Sequence, residues 1–261
     1  MTTTAKASPR ALVTGATAGI GEAIARQLAS RGYNLMLTGR RESRLADLAE
    51  ELSGSVDVST FACDLTSPGG AERLLTEVAG HGLVVDLLVN NAGLSLHGAI
   101  GEQSVDTVMG MVNLNVGALT RLTLGLLPSM LERDRGAIMN VASVAAFHPV
   151  PFMGAYAATK AYVLSFTESL AEELRSTGVS ATALCPGLTD TEGVTMSAGL
   201  PVPDALMMTP TSVAAAGIDA MLAGEVVCIP GAGYQAAVEL ARVQPRGFVR
   251  RLGGLVGRLT R

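Results

Sequence analysis

Seven short apolar runs, separated by longer amphipathic stretches, constrain the fold of this chain more than any other feature. They span residues 11–14, 34–37, 56–62, 84–89, 137–141, 180–184 and 226–229. The segments between them are long enough for crossover helices, so we expect consecutive strands to run parallel. The runs are nearly continuous rather than alternating, which is typical of a sheet covered on both faces. The pattern predicts a doubly wound α/β fold, with a seven-stranded parallel sheet and helices on both faces.

The size and composition of the chain predict one large domain over residues 1–261. Its hydrophobic fraction is 48%, and single sheets with helices on both faces commonly reach this length. Within the domain, residues 1–8 are predicted to be a flexible N-terminus. Residues 187–210 are rich in Gly, Pro, Thr and Met and lack periodicity. Because such a long stretch is unusual for a plain connection, we interpret it as a substrate lid.

Charge and cysteine content exclude several classes of protein. A formal net charge of −4 argues against nucleic acid as the main partner, because phosphate contacts dominate that affinity. Cys63, Cys185 and Cys228 are far apart and, like the three histidines, lack metal-ligand spacing, so we expect free thiols and no metal site. Residues 1–9 lack the apolar stretch of a secretory signal, and no window has about 18 consecutive apolar residues. A cytoplasmic location is therefore expected.

The C-terminal segment differs in charge from the rest of the chain. Residues 241–261 contain six arginines and no acidic residue; because the whole chain carries −4, the remainder carries −10. Residues 246–261 place their apolar side chains on one side of a helix and most arginines elsewhere, which is a basic amphipathic pattern. The hypothesis is that this segment contacts a partner subunit or, peripherally, an anionic membrane. Three glycines weaken the helix, and disorder is the alternative.

A glycine-rich turn follows the first predicted strand. It contains Gly15, Gly19 and Gly21, and a helix is predicted from near Ile20 to Ala29. Glycines let the backbone approach a pyrophosphate, and the helix N-terminus supplies free amide donors and the positive end of the helix dipole. The turn therefore predicts a dinucleotide site, and a merely tight turn is the alternative.

The residues after the second predicted strand indicate which dinucleotide is bound. An acidic residue there binds the ribose diol, whereas a basic residue accommodates a 2′-phosphate. This chain has Arg40 and Arg41, with no carboxylate until Glu42. Guanidinium groups suit phosphate, so NADP(H) is favoured over NAD(H). The alternative is that both arginines only begin a solvated helix.

Tyr156 and Lys160 are spaced by four residues in a chain that has only two lysines. Residues i and i+4 share a helix face. An ammonium beside a phenol stabilises the phenolate, which predicts a lowered tyrosine pKa and a general acid/base. Ser143 follows the predicted strand 137–141 and is expected at the carboxyl edge of the sheet, where it can donate to a developing alkoxide. For Ser143 alone, a turn or helix-cap role is the alternative.

Together these motifs resemble the short-chain dehydrogenase/reductase family, of the single-domain type with about 250 residues, over nearly the whole chain. The resemblance implies a Rossmann-like NAD(P)-binding domain and a catalytic tetrad of Asn115, Ser143, Tyr156 and Lys160. Asn115 is implied to distort its helix and to hold a water that relays protons to Lys160. Lys160 is also implied to bind the nicotinamide ribose.

The resemblance further implies cofactor contacts along the carboxyl edge of the sheet. Asp64 and Leu65 match the pair that lines the adenine, and segment 186–191 resembles the one that folds over the nicotinamide. Thr189 departs from the family's usual Val or Ile, which leaves its packing open. The implied cofactor-binding residues are Gly15, Thr17, Gly19, Ile20, Gly21, Arg40, Asp64, Leu65, Asn91, Ala92, Gly93, Tyr156, Lys160, Pro186, Gly187, Thr189 and Thr191.

The expected function is therefore that of an NADP(H)-dependent oxidoreductase, such as a carbonyl reductase, that interconverts a ketone or aldehyde with an alcohol by hydride transfer. The apolar lid favours a lipid-like or 3-oxoacyl substrate. A non-catalytic, dinucleotide-binding regulatory protein of the same fold is the alternative, although such a protein need not keep Tyr156 and Lys160 together. The resemblance also implies a homo-oligomer, either a tetramer or a dimer.

Overall fold

Seven parallel strands form one sheet at the centre of the molecule. The computed structural model describes residues 8–191 and 207–259. The order across the sheet is β3-β2-β1-β4-β5-β6-β7, and every pairing is parallel. The strands are β1 (Arg10–Thr14), β2 (Asn34–Gly39), β3 (Val58–Ala62), β4 (Leu87–Asn90), β5 (Gly136–Val141), β6 (Val179–Leu184) and β7 (Val227–Cys228).

Helices connect the strands and cover both faces of the sheet. They are α1 (Gly19–Ser30), α2 (Glu42–Leu52), α3 (Gly70–Gly80), α4 (Val105–Val112), α5 (Leu119–Glu132), α6 (Gly154–Glu173), α7 (Pro210–Ala223), α8 (Ala232–Val243) and α9 (Arg246–Leu259). A π-helical turn, Asn113–Ala118, joins α4 to α5. A 3-10 turn, Val144–Phe147, precedes α6. The doubly wound parallel sheet predicted from the apolar runs is confirmed.

Two apolar layers hold the helices to the sheet. Ile24 of α1 is fully buried in the layer on one face, and Leu74 of α3 is fully buried in the layer on the other. Neighbouring residues of β1 alternate between the layers, since Val13 packs into the first and Leu12 into the second. Burying a side chain of this size contributes about 2 kcal/mol. This two-sided burial explains the apolar runs of the central strands, whereas the edge strand β3 is less buried and contains polar residues.

β3 and β4 begin later than the apolar runs indicate, at Val58 and Leu87 rather than at residues 56 and 84. The Val84 side chain lies on the surface, ahead of the sheet. Asp86 is already tied to the sheet, because its N–H donates to the Arg10 carbonyl at 2.8 Å. An apolar run therefore locates a strand without fixing its first paired residue.

Within the described residues, one continuous helical stretch, Val105–Glu132, is long and apolar enough to cross a membrane, with a mean hydropathy of 1.2. Polar residues interrupt it, so it contains no run of about 18 consecutive apolar residues. Leu114, Leu122 and Met130 of this stretch are buried in the apolar layer that contains Leu74. The stretch therefore packs as a core helix against the sheet.

Six strands end along one edge of the sheet, and each is followed by residues predicted to form the site. Gly15 follows β1 and Arg40 follows β2, while Asn91 follows β4. Asp64, Ser143 and Pro186 lie two positions beyond the ends of β3, β5 and β6, respectively. The carboxyl ends of parallel strands thus bring together residues that are far apart in the chain.

Candidate active site

A cavity of about 690 Å³ opens along this edge of the sheet. Its wall contains every residue proposed for cofactor contact except Gly21, and it also contains Ser143. Asn115 is buried beneath the wall, next to Gly93. In the part of the chain that the structure describes, no group of three or more His, Cys, Asp or Glu residues is placed to hold a metal ion.

The glycine turn forms the part of the wall next to β1. Gly15 and Gly19 have φ values of 64° and 56°, a conformation that favours glycine. A side chain on Gly21 would collide with the Gly15 carbonyl and the Asn91 amide. Gly21 therefore lets α1 pack close to the turn instead of lining the cavity. Ala18 precedes α1 and has no polar side chain to cap its amides, which leaves them as donors for an anion.

Two arginines lie at the end of the cavity beyond β2. Arg41 donates to the Thr17 carbonyl at 2.7 Å, so its guanidinium binds the glycine turn and does more than begin α2. Arg40 lies on the wall near Asp64. The pKa of Asp64 is lowered, first by hydrogen bonds from Thr66 and then by the charge of Arg40. The cavity thus has concentrated positive charge where the 2′-phosphate was predicted.

Tyr156, Lys160 and Ser143 meet at the end of β5. Lys160 is buried on α6, donates to the Val141 carbonyl at 2.7 Å and lies 5.8 Å from the centre of the Tyr156 ring. Burial lowers the pKa of Lys160 to about 8. Ser143 caps the 3-10 turn, since its hydroxyl accepts the Ala145 N–H at 3.1 Å. The cap role proposed as an alternative for Ser143 therefore exists alongside its position on the cavity wall.

The expected lowering of the Tyr156 pKa is wrong for the protein alone. Burial raises that pKa, and a hydrogen bond with Ser143 opposes the rise only in part. Among the described residues, the hydrogen bond of the Lys160 ammonium goes to the Val141 carbonyl instead of the phenol oxygen. Tyr156 is accordingly a neutral phenol at pH 7 in this cavity.

Asn115 lies in the π-helical turn between α4 and α5, so the helix is distorted where the resemblance implied. Its side chain accepts the Leu94 N–H and donates to the Leu94 carbonyl, both at 2.9 Å. It also donates to Thr159 at 3.0 Å, and the Thr159 hydroxyl in turn donates to the Tyr156 carbonyl at 2.7 Å. These bonds fix the chain after β4 to α6. The role of Asn115 in proton relay stays a prediction.

The segment Pro186–Thr191, which we call the strap, crosses above the glycine turn. Thr189, which replaces the family's usual Val or Ile, is buried, and its hydroxyl donates to the Gly187 carbonyl at 3.1 Å. The polar side chain at this position therefore has a hydrogen-bond partner. Thr191 lies against Gly19, where an added Cβ would be 2.9 Å from the Thr191 methyl. Residues 192–206 of the predicted lid lie outside the described residues. The two described ends of the predicted lid pair through a β-bridge between Thr189 and Met208.

Tyr234 of α8 supports the strap, although no motif in the sequence predicts this role. Its hydroxyl accepts the Leu188 N–H at 2.9 Å. Its ring lies directly against Gly187, where no side chain would fit. The contact joins residues 46 positions apart. No spacing or local motif in the sequence marks such a pair.

The substrate end of the cavity is largely apolar. Its wall there includes Leu94, Val144, Met153 and Leu188, with Ser95 and His97 as polar members. His148, considered as a substrate-loop residue, does not lie on the wall, and burial lowers its pKa. Among the described residues at this end, Lys160 is the only lysine or arginine on the wall.

Comparison with known proteins agrees with this geometry. A family model described as short chain dehydrogenase matches residues 9–198. The chain is 42% identical to sulfoacetaldehyde reductase 2 of Chromohalobacter salexigens over 184 residues, which are 69% of this chain and 73% of that enzyme. It is 37% identical to the NADP-dependent 3-hydroxy acid dehydrogenase of Escherichia coli over 178 residues, 68% of this chain and 71% of the other.

Among solved structures, a short-chain dehydrogenase from Sphingobium yanoikuyae in complex with NADPH superimposes with a TM-score of 0.80. The two chains are 33% identical, and the match covers 90% of this chain and 93% of the other. The sheet order, the glycine turn and the placement of Tyr156 and Lys160 thus agree with sequence matches over most of the chain. This protein belongs to the short-chain dehydrogenase/reductase family of oxidoreductases.

Proposed function

We propose that the chain is an NADP(H)-dependent oxidoreductase that interconverts a ketone or aldehyde with an alcohol. The observation that carries the proposal is the placement of Ser143, Tyr156 and Lys160 in the same cavity as a glycine turn and two arginines. β2 and β5 are separated by β1 and β4 in the sheet, so the ends of these two strands are about 14 Å apart at a strand spacing of about 4.8 Å. An extended dinucleotide fits between them.

The residues present fit this cofactor, because the cradle at Gly15 and Gly19 is kept free of side chains and α1 offers uncapped amides. NADP(H) supplies or accepts a hydride when bound. In reduction, the Ser143 hydroxyl donates a hydrogen bond to the substrate oxygen, and the Tyr156 hydroxyl gives its proton to that oxygen as the carbonyl carbon receives the hydride. The resulting phenolate is stabilised by the nearby Lys160 ammonium and regains a proton from solvent.

Lys160 has further donors for the cofactor. One of the three ammonium protons binds the Val141 carbonyl, which leaves two for a ribose hydroxyl and the phenolate. Its position beneath Gly93, where an added Cβ would be 3.5 Å from the Lys160 nitrogen, keeps it close to the chain after β4. Lys160 thus supports both cofactor binding and proton transfer.

For the substrate, the proposal is an uncharged, lipid-like ketone or aldehyde, with 3-oxoacyl compounds as one class. The two named relatives act, by their names, on sulfoacetaldehyde and on 3-hydroxy acids, which are both acidic. A sulfonate or carboxylate needs a cation, and the described substrate end offers only Lys160. Residues 192–206 contain no lysine or arginine either. The apolar wall therefore favours a substrate without an acidic group beside its carbonyl.

Steady-state reduction of a carbonyl panel tests the reaction. Apolar ketones and aldehydes are expected to be reduced with higher kcat/KM than sulfoacetaldehyde or 3-oxo acids. Tyr156→Phe is expected to lower kcat by at least 100-fold, since general acid catalysis contributes roughly 100- to 10,000-fold. Tyr162→Phe, on the same helix with its hydroxyl bonded to Thr120, is the matched control and should retain activity. NADPH binding without turnover of any carbonyl would instead favour the regulatory alternative.

The cofactor preference is tested by binding NADPH and NADH to the same variants. Arg40→Ala is expected to weaken NADPH binding by roughly tenfold or more, the effect of losing a charge-assisted hydrogen bond, and to leave NADH binding nearly unchanged. Arg44→Ala is the control, because Arg44 pairs with Glu22 and Asp47 away from the wall. Tighter binding of NADH than of NADPH by the unmodified protein would overturn the NADP(H) assignment.

We also propose a cytoplasmic homo-oligomer, a dimer or tetramer. The support is a group of exposed apolar side chains on α4 and α5, comprising Val105, Met109, Leu124 and Leu131. Single exposed apolar side chains are common, but several on consecutive helices are typical of an interaction face. Light scattering coupled to gel filtration measures the subunit number, and a monomer at micromolar concentration would refute the proposal.

A further inference from the structure

The C-terminal arm, which we define as α8 and α9, combines exposed apolar side chains with a local excess of positive charge. Leu240, Val243, Phe248 and Leu255 are 64%, 74%, 57% and 58% exposed. Phe248 and Leu255 are seven residues apart on α9 and therefore share one helix face. The arm contains five of the six arginines of residues 241–261 and one acidic residue, Glu239, whereas the chain outside residues 241–261 carries a charge of −10. The matched family model ends at residue 198, before the arm.

The arm lies against the loop that precedes α6. Gly253 of α9 packs on Pro151, where an added Cβ would be 3.1 Å from the proline ring. Arg242 lies over the Phe147 ring at 4.8 Å from its centre. Arg250 and Arg251 line a shallow crevice together with Pro151 and Phe152. The basic surface is thus attached to the segment that connects Ser143 with Tyr156.

The same loop reaches the mouth of the cavity. The Gly98 N–H donates to the Phe152 carbonyl at 2.8 Å, and the rings of His97 and Phe152 lie 6.4 Å apart. His97 and Met153 are on the cavity wall. A surface that binds the arm would therefore lie beside the opening through which a substrate enters.

We propose that the C-terminal arm binds the surface of an anionic lipid bilayer. Apolar side chains inserted at the headgroup boundary, with arginines among anionic headgroups, are the chemistry of interfacial helices. A nucleic acid would match the arginines but would leave Phe248 and Leu255 in water. A second copy of the chain, paired by a two-fold axis through the arm, would place arginines against arginines. The repulsion between these like charges disfavours a second copy as the partner of the arm. If the proposed function holds, the bilayer also delivers lipid-like carbonyl substrates to the opening.

Vesicle flotation of the full chain tests this proposal without requiring turnover, so its outcome is independent of the proposed function. The probes are vesicles of phosphatidylcholine alone and of phosphatidylcholine with about 30% phosphatidylglycerol. We expect binding to the anionic vesicles only, weakened by salt. Arg250→Glu with Arg251→Glu is expected to reduce binding by roughly 100-fold, because each cation near the surface contributes about a factor of five and reversal adds repulsion.

A second variant separates the apolar contribution from charge. Phe248→Ser with Leu255→Ser changes exposed positions and is expected to reduce binding by roughly tenfold, with unchanged thermal stability. Arg121→Glu with Arg175→Glu makes the same charge change on exposed arginines outside the arm and should leave binding intact. Equal binding to neutral vesicles, no binding to either kind, or equal loss in the control pair would overturn the proposal. So would loss of a dimer, instead of loss of vesicle binding, in the Phe248 and Leu255 variant.

Discussion

A methyl group added at residue 187 is expected to displace the strap and disable hydride transfer. A Cβ on Gly187 would lie well under 3.0 Å from three carbons of the Tyr234 ring, whereas carbons in contact are about 3.5 to 4.0 Å apart. Ring and strap must therefore separate by about 1 Å. The ring is held in place, because its hydroxyl accepts the Leu188 N–H.

The magnitude follows from where Gly187 lies. It is on the cavity wall, in the segment proposed to cover the nicotinamide, and a misplacement of about 1 Å costs roughly 100-fold in rate. We expect Gly187→Ala to lower kcat/KM for carbonyl reduction by about that factor. Overpacking costs about 1 to 3 kcal/mol of folding free energy. For a chain of this size, that lowers Tm by roughly 3 to 9 °C.

A double variant shows whether the clash is the cause. Tyr234→Ala alone loses the hydrogen bond to Leu188 and the ring contact with Gly187, so activity is expected to fall by at least about a factor of five, the equivalent of about 1 kcal/mol. Combined with Gly187→Ala it also removes the obstacle, so the double variant is expected to recover to the level of Tyr234→Ala. Gly233→Ala is the matched control, since an added Cβ there meets no atom within 4 Å. The activity of each variant is measured as NADPH oxidation with a carbonyl substrate, and its Tm is measured from a melting curve. Additive losses in the double variant would refute the reasoning.

Three further predictions concern residues around the same cavity. Lys160→Met removes a buried ammonium whose pKa is lowered from 10.5 to about 8. Because the same group keeps its ordinary pKa in the unfolded chain, the unfolded wild-type chain binds more protons than the folded one between pH 8 and 10.5. Wild-type stability relative to the variant should therefore rise by about 3 kcal/mol from pH 7 to 10.5 in urea titrations, and a pH-independent difference would contradict this. Asn115→Ala leaves both backbone groups of Leu94 without their partner and should cost about 3 kcal/mol of unfolding free energy; a loss below about 1 kcal/mol would contradict the assigned contacts. Gly19→Ala combines a φ of 56° with a collision at Thr191 and should weaken NADPH binding by at least about tenfold in a fluorescence titration, whereas Gly54→Ala, which meets no atom within 4 Å, should not.

The parts of the structure that sequence predicts well are those set by local pattern. Apolar runs locate all seven strands, and the parallel topology brings the ends of β1 to β6 to one edge. Residues placed just after those ends, such as Gly15 and Ser143, therefore meet in one cavity. Strand starts are less predictable, because Val84 is as apolar as a core residue and yet lies on the surface.

The parts that sequence does not predict depend on contacts between distant residues. The support of the strap by Tyr234 joins two segments with no shared motif. The π-helical turn at Asn115 was implied by family resemblance alone, and its bonds reach Leu94 and Thr159, 21 and 44 positions away. The direction of the Tyr156 pKa shift was mispredicted for the same reason. Spacing places Lys160 on the same helix face as Tyr156, but only the structure shows its ammonium held by Val141.

That correction bears on the direction of the proposed reaction. Burial raises the pKa of Tyr156 and lowers that of Lys160, so the cavity disfavours charge on both groups. A neutral phenol is the form that protonates a developing alkoxide, whereas alcohol oxidation needs the phenolate as base. In the protein alone at neutral pH, Tyr156 is therefore in the protonated form that the proposed reduction uses. Oxidation requires the phenolate to be stabilised first, and the Lys160 ammonium is the group placed to do so, until its own proton is lost as pH rises through about 8.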